Sequence, residues 1–411
     1  MKRALVLLAV AAALVAGCRP APREVVELSW ATNAHVTRRD AVAWFERENP
    51  GIRVRIRPIS EPRQFFLQCL YGDAPDVITF FKTDAFQAFA RNGQLRAMEA
   101  GDVTPWPYYD ALREYCFARN TGALMALPQV AYPYVLYFNK DLVSVEKAMA
   151  VDTWEDLLAL VREGKARTRE GKGESKVFGL DIQNSAIWFI TWYWQRGGRF
   201  FAPDGTPCLD RQKAVDTLDA MARWRQRPGV IPRPQDRLNL PSAGASQGVL
   251  GSLFLQDRAM FYWSGSWKIC DFEAQHRVNW GVRPLPRGSV NAMTVMGGNS
   301  FGVSARSRHP REAERFVRYL ASPRAQARHI SHKIYLPAHK GVEIPARYTV
   351  LKDQARVAHC PEYSPNINEA LLKEIFSQAL EAHRLGVVDS QTAVDLLSRS
   401  LGAGSLVIDH E

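Results

Sequence analysis

Strand-like and helix-like patterns alternate along this chain. Val25-Val26-Glu27-Leu28-Ser29-Trp30 alternates apolar and polar positions, as a half-buried strand does. Arg39 to Glu48 carries Val42, Trp44 and Phe45 on one helical face, and Asn49-Pro50-Gly51 stops it. Ile52-Arg53-Val54-Arg55-Ile56 keeps a strict period of two and predicts a second strand. Phe65 to Leu70 predicts a helix, which Gly72-Asp73-Ala74-Pro75 breaks. Asp76 to Phe80 then predicts a buried strand, and Asp84 to Asn92 another helix. This order predicts a parallel sheet covered by helices.

A second series follows. Thr153 predicts a helix cap, with Asp156 three residues on and Trp154, Leu157, Leu158 and Val161 as the buried side. Phe178-Gly179-Leu180 predicts a strand, and Ala186 to Gln195 an aromatic helix closed by Gly197-Gly198. Arg211 to Arg225 is amphipathic, and Pro228 to Gly248 reads as a long loop. Ala259 to Trp263 predicts a strand ending at Ser264-Gly265, while Glu312 to Leu320 and Glu369 to Leu385 predict helices.

The N-terminus changes the picture of where the protein goes. Lys2 and Arg3 precede an apolar run, Ala4 to Val15, too short to span a bilayer. That pattern reads as a secretory leader, expected to be no part of the fold. Val15-Ala16-Gly17-Cys18 follows and resembles the bacterial lipobox, which implies lipidation at Cys18 and anchoring to the cell membrane. Residues 1–17 are thus expected to be removed, with 18–23 as a tether. The formal charge of +11 falls to +9 once Lys2 and Arg3 leave with the leader. Export argues against a nucleic-acid partner, and no nucleic-acid motif is present. With Cys18 set aside, Cys69, Cys116, Cys208, Cys270 and Cys360 allow at most two disulfides, whose pairing stays open. The chain's 411 residues suffice for two core-bearing domains.

Several segments, in order and spacing, resemble the bacterial extracellular solute-binding proteins of ABC importers, the group that includes maltose-binding protein. Gly72-Asp73-Ala74-Pro75-Asp76-Val77 is similar to their "G-x-x-P-D-V" step. Leu127-Pro128 followed by Tyr137-Phe138-Asn139-Lys140-Asp141-Leu142 is similar to "lP…yyNKdl", and Thr153-Trp154-Glu155-Asp156-Leu157 to "T-W-e-e-L". Ala259-Met260 through Gly265 and Trp267 resembles "A-M…G-x-W". Gly297-Gly298 before Phe301, the Glu312 helix with Phe316, Leu320, Pro323 and Gln326, and Leu336-Pro337-Ala338 complete the series. The resemblance implies a two-lobed α/β periplasmic-binding-protein fold of type II, with discontinuous lobes joined by a hinge. Residues 24–132 plus 285–337 would form one lobe, and 133–284 plus 338–411 the other. It implies hinge closure around a solute, delivery to permease subunits, no catalysis and a monomer.

Sugars offer flat CH faces and a polar rim, so their sites need aromatic plates and hydrogen-bonding groups. Residues following the strands supply both types: Trp30 and Asn33, then Asp84, then Trp263, Ser264 and Trp267. Tyr132 sits at the expected hinge, and Trp188 and Trp192 share a helical face. Gly297, Gly298 and Asn299 are read as a tight turn that a ligand could approach closely. Core packing competes as an explanation for Trp188 and Trp192, and helix capping for Asp84.

Other chemistries are weaker. An anionic solute such as a glycerol phosphoester would need arginines in the cleft, which the sequence does not place. Gly298-Asn299-Ser300-Phe301-Gly302 fits the G-x-S-x-G elbow of a lipid-anchored serine hydrolase, with Asp353 and His359 in the right chain order. That elbow requires a helix directly after the serine, whereas Phe301 to Ala305 reads as extended. His329, His332 and His339 lack an accompanying HExxH, and no cofactor is expected.

Overall fold

The computed structural model describes residues 25–33, 36–59, 62–170, 177–182, 185–202, 206–237, 253–332, 336–360 and 369–403. The expected leader, Cys18, the expected tether and most of the expected loop before Gly248 lie outside them. The first elements are β1 (Val26–Thr32), α1 (Val36–Glu48), β2 (Ile52–Pro58), α2 (Pro62–Leu70), β3 (Val77–Phe80), α3 (Thr83–Arg91) and β4 (Ala126–Asn139). Then come α4 (Val145–Ala150), α5 (Trp154–Glu170), β5 (Phe178–Asp181), α6 (Ser185–Gln195) and α7 (Arg211–Gln226). They are followed by β6 (Ala259–Gly265), α8 (Lys268–Gln275), β7 (Trp280–Arg283), β8 (Thr294–Val303), α9 (Pro310–Ala321) and α10 (Pro323–His332). The last are β9 (Leu336–Pro337), α11 (Thr349–Arg356), β10 (Ala358–His359), α12 (Glu369–Arg384) and α13 (Ser390–Ala403).

Two half-sheets share one strand. In the first, β2, β1 and β3 run parallel, and β8 enters antiparallel beside β3. β4 pairs with β8 from Ala126 to Pro133. From Tyr134 to Phe138 it pairs with β6 instead, with β7 on its other edge. β5 extends this second half-sheet parallel to β6. The exchange falls at Pro133, a residue with no N–H to leave unpaired when the partner changes.

Each half-sheet buries both faces. Trp30 lies under α1 and α9, edge-on to Phe301 at 5.8 Å and Phe316 at 5.1 Å, and its indole donates to Thr79 Oγ1 at 2.9 Å. Ile78, Phe80, Phe86 and Phe89 form the core on the opposite face. In the second half-sheet Leu136, Phe138, Phe261 and Trp263 point towards α5, α6 and α7. Tyr137 and Tyr262 point the other way, onto Phe272 of α8. The expected cap of α5 is a reciprocal box: Thr153 N and Oγ1 donate to Asp156 Oδ2 at 2.8 Å, and Asp156 N donates back to Thr153 Oγ1 at 3.2 Å. Those bonds hold the Asp156 carboxyl below the ordinary carboxylate range. Among the described residues no disulfide forms, and no helix is long and apolar enough to cross a membrane.

The C-terminal hairpin is clasped to α7 by a buried polar cluster. His383 Nε2 lies 3.1 Å from Ser390 Oγ, which donates to Asp219 Oδ1 at 2.5 Å. Burial, with Arg225 nearby, lowers the His383 pKa from its ordinary 6.5, against the opposing pull of Asp219 and Asp389. His383 Nδ1 is buried without a hydrogen-bond partner, so a second ring proton would find no acceptor there. The folded state therefore favours neutral histidine. Its contribution is full above pH 6.5 and drains as the pH falls below that value, because the unfolded chain takes up the proton first. Denaturant unfolding at pH 7.5 and 5.5 is expected to show this loss, and His383→Gln to flatten it. An equal pH slope in the variant would refute the assignment.

Candidate functional site at the strand exchange

Tyr132 and Tyr134 stand two residues apart on β4, hence on one face, on either side of the exchange. Trp267, at the start of α8, meets both edge-on. Its ring centroid is 5.9 Å from Tyr132 and 5.2 Å from Tyr134, at interplanar angles of 90° and 89°. All three side chains are half-buried. Gly297 is the register partner of Tyr132. A Cβ there would stand 3.4 Å from Tyr132 Cβ and 3.7 Å from Trp267 Cζ3. Three aromatic plates thus meet where the chain passes between half-sheets. Burial pushes the Tyr132 and Tyr134 phenols well above their ordinary range, with Arg38 pulling Tyr132 back in part. Both hydroxyls are therefore neutral near pH 7, able to donate and accept.

A polar wall adjoins the plates. Arg38, buried in the first turns of α1, donates from Nη1 to Gln129 Oε1 at 2.6 Å and from Nε to Asn33 Oδ1 at 3.3 Å. Gln129 sits at the register shift between Pro128 and Val130. Asn299 Oδ1 accepts from Val130 N at 3.2 Å beside that shift, and Asn299 Nδ2 is buried without a hydrogen-bond partner.

The other expected site residues are distributed as follows. Asn33 is exposed at the end of β1. Asp84 is half-buried in the first turn of α3, where its Oδ1 accepts from Ala85 N at 2.9 Å, and Lys82 holds the cap position. Ser264 is buried opposite Val135. Trp30 lies wholly in the core, because the apolar side of β1 faces α1. Trp188, Trp192 and Trp263 also lie in a core, packed with Trp154 and Trp224 at centroid distances of 5.0 to 5.3 Å. Trp263 is the register partner of Leu136, on the face of β4 that also carries Tyr134, but it lies deeper in that cluster, against Trp154. Gly297, Gly298 and Asn299 form no turn: they are consecutive residues of β8. Gly298 faces the core, where a Cβ would stand 2.7 Å from Leu112 Cδ2.

Ser300 is equally mid-strand. It is fully buried opposite Phe80 and Pro128, and its hydroxyl has no hydrogen-bond partner. An elbow serine needs a sharp strand-to-helix turn, which β8 does not provide here. Among the described residues no group of three or more His, Cys, Asp or Glu side chains could hold a metal ion.

Sequence reasoning passed over Tyr134, Arg38 and Gln129. Tyr134 was legible as the same-face neighbour of Tyr132. Arg38 carried a fainter signal: a cation at a helix N-terminus opposes the dipole, so it needs another reason to be there.

A pair of α/β half-sheets exchanging one strand, with aromatic side chains at the exchange, defines a two-lobed binding protein of type II. The chain matches the model of the bacterial extracellular solute-binding proteins over residues 31–327, and it belongs to that family. It is 26% identical over 385 residues to a galactooligosaccharide-binding protein of Bacillus subtilis, covering 87% of this chain and 84% of that one. It is 24% identical over 307 residues to a multiple sugar-binding protein of Streptococcus mutans, covering 69% and 68%. Among solved structures, an ABC substrate-binding protein from Listeria monocytogenes in complex with cycloalternan superposes with a TM-score of 0.75 at 19% identity, covering 92% of this chain and 98% of that one. The maltose/maltodextrin-binding domain from Bdellovibrio bacteriovorus bound to maltotriose gives 0.72 at 18% identity, covering 92% and 99%. The family is extracytoplasmic and serves ABC importers.

Proposed function

We propose that this protein captures a sugar or related polyhydroxylated solute at the strand exchange and presents it to ABC permease subunits by closing its lobes. One observation carries the reading: Tyr132, Tyr134 and Trp267 converge across the exchange, so a flat guest resting there touches residues of both half-sheets. A guest that contacts both halves favours the closed arrangement through its differential affinity for it. Arg38, Gln129, Asn33 and Asn299 supply donors and acceptors beside the plates. The sugar-binding relatives support the same solute class. The lipobox supports a membrane anchor at Cys18, which keeps the captured solute near the importer.

Thermal-shift screening of the mature protein against mono- and oligosaccharides, polyols and phosphoesters tests this. A sugar present at a hundred times its Kd is expected to stabilise the fold by about 2.7 kcal/mol through mass action. Shifts with phosphoesters alone would transfer the assignment to an anionic solute held by Arg38. No shift across the panel would reject the proposal.

A further inference from the structure

Trp267 stacks on its own chain, and the residue beneath it is Gly265. A Cβ built on Gly265 would stand 1.7 Å from Trp267 Cζ3 and 2.2 Å from both Cε3 and Cη2. The benzene half of the indole occupies the place of the missing side chain. Gly265 does not have a positive φ, and it ends an ordinary strand in register with Tyr134. Its backbone conformation suits any residue, so steric room for the ring is what requires glycine there. Ser266 N donates to Pro133 O at 3.0 Å, pinning the turn between Gly265 and Trp267 to the exchange point of β4. The ring then reaches Gly297 on β8, where a Cβ would make ordinary contact at 3.7 Å. Trp267 is thus seated on one glycine from each half-sheet, tightly on Gly265 and loosely on Gly297.

We infer that Gly265 is a positioning residue for solute capture, acting solely by seating the Trp267 indole against Tyr132 and Tyr134. This rests on the proposed role of Trp267 as a sugar platform. An alanine at 265 forces the ring off its seat and away from the two tyrosines, while leaving β6 able to form. With Trp267 truncated, the three atoms closest to that Cβ are gone.

The test is a double-mutant cycle of Gly265→Ala and Trp267→Ala, read in two ways. Thermal unfolding without added sugar reports the seating, and titration with maltotriose reports capture. In the Trp267 background, Gly265→Ala is expected to lower Tm by about 5 °C, as overpacking does, and to weaken maltotriose at least tenfold. In the Trp267→Ala background, both effects of Gly265→Ala are expected to vanish. Equal effects in the two backgrounds would overturn the inference. Failure of Gly265→Ala to fold, combined with normal folding of the double variant, would support it, since removing the ring removes the collision. Maltotriose binding that ignores Trp267→Ala, or no binding by the parent protein, would count against the sugar-platform reading. The unfolding cycle would still decide the seating.

Discussion

Trp267→Ala is expected to raise the Kd for the best sugar of the thermal-shift panel by about a hundredfold, roughly 2.7 kcal/mol, with little change in Tm. The size follows from where the ring stands. It is half-buried, so its removal opens no sealed cavity and costs the fold little. It is also the plate that meets both Tyr132 and Tyr134, so its loss strips a guest of its largest apolar contact. Isothermal titration calorimetry of the two proteins decides it. Unchanged affinity in a folded variant would take Trp267 out of the site.

Trp192→Ala is expected to do the reverse. Its ring is buried on all sides, with Trp154 at 5.2 Å, Trp188 at 5.2 Å and Trp224 at 5.3 Å, and Arg196 over its face at 5.3 Å. Truncation leaves a large cavity, and Phe or Trp to Ala in a core costs about 3–5 kcal/mol. The neighbours have little freedom to fill it, because Trp154 is fixed by its hydrogen bond to Gln195 Oε1 at 2.6 Å. A fall in the urea midpoint with unaltered sugar affinity below the transition is the expected pattern. Weakened affinity in a variant of normal stability would return Trp192 to the binding surface.

These contrasting outcomes mark what the sequence could and could not convey. Periodicity located β1, α1, β2 and β3, because each buries its apolar positions at the spacing its geometry demands. β4 escaped: it contains Pro128 and Pro133, residues that ordinarily interrupt a central strand. Pro128 adjoins a register shift and Pro133 the change of partner, two places where a missing N–H is tolerated. Gly297 and Gly298 suggested a turn for a similar reason, yet they lie mid-strand. A side chain at 298 would strike Leu112, while one at 297 would make only ordinary contact with Tyr132 and Trp267. Position after a strand pointed to Trp267 and also to Trp30 and Trp263. Depth decides between them: Trp30 and Trp263 are covered by packed helices and aromatic neighbours, while Trp267, just past β6, stays half-buried. Arg38 left only that faint signal, because Gln129, which accepts its shorter bond, lies 91 residues away on β4, and Asn33 sits just past β1.

The strand that changes partners at Pro133 also governs how the protein comes apart. Val130 to Pro133 is hydrogen-bonded into one half, and Tyr134 to Phe138 into the other. Neither half can melt without stripping an edge from its neighbour. Deuterium entering the amides of this stretch would therefore report whole-molecule opening, not local fraying. Grafting one half onto a foreign partner would likewise require that the donor supply its own copy of this shared segment.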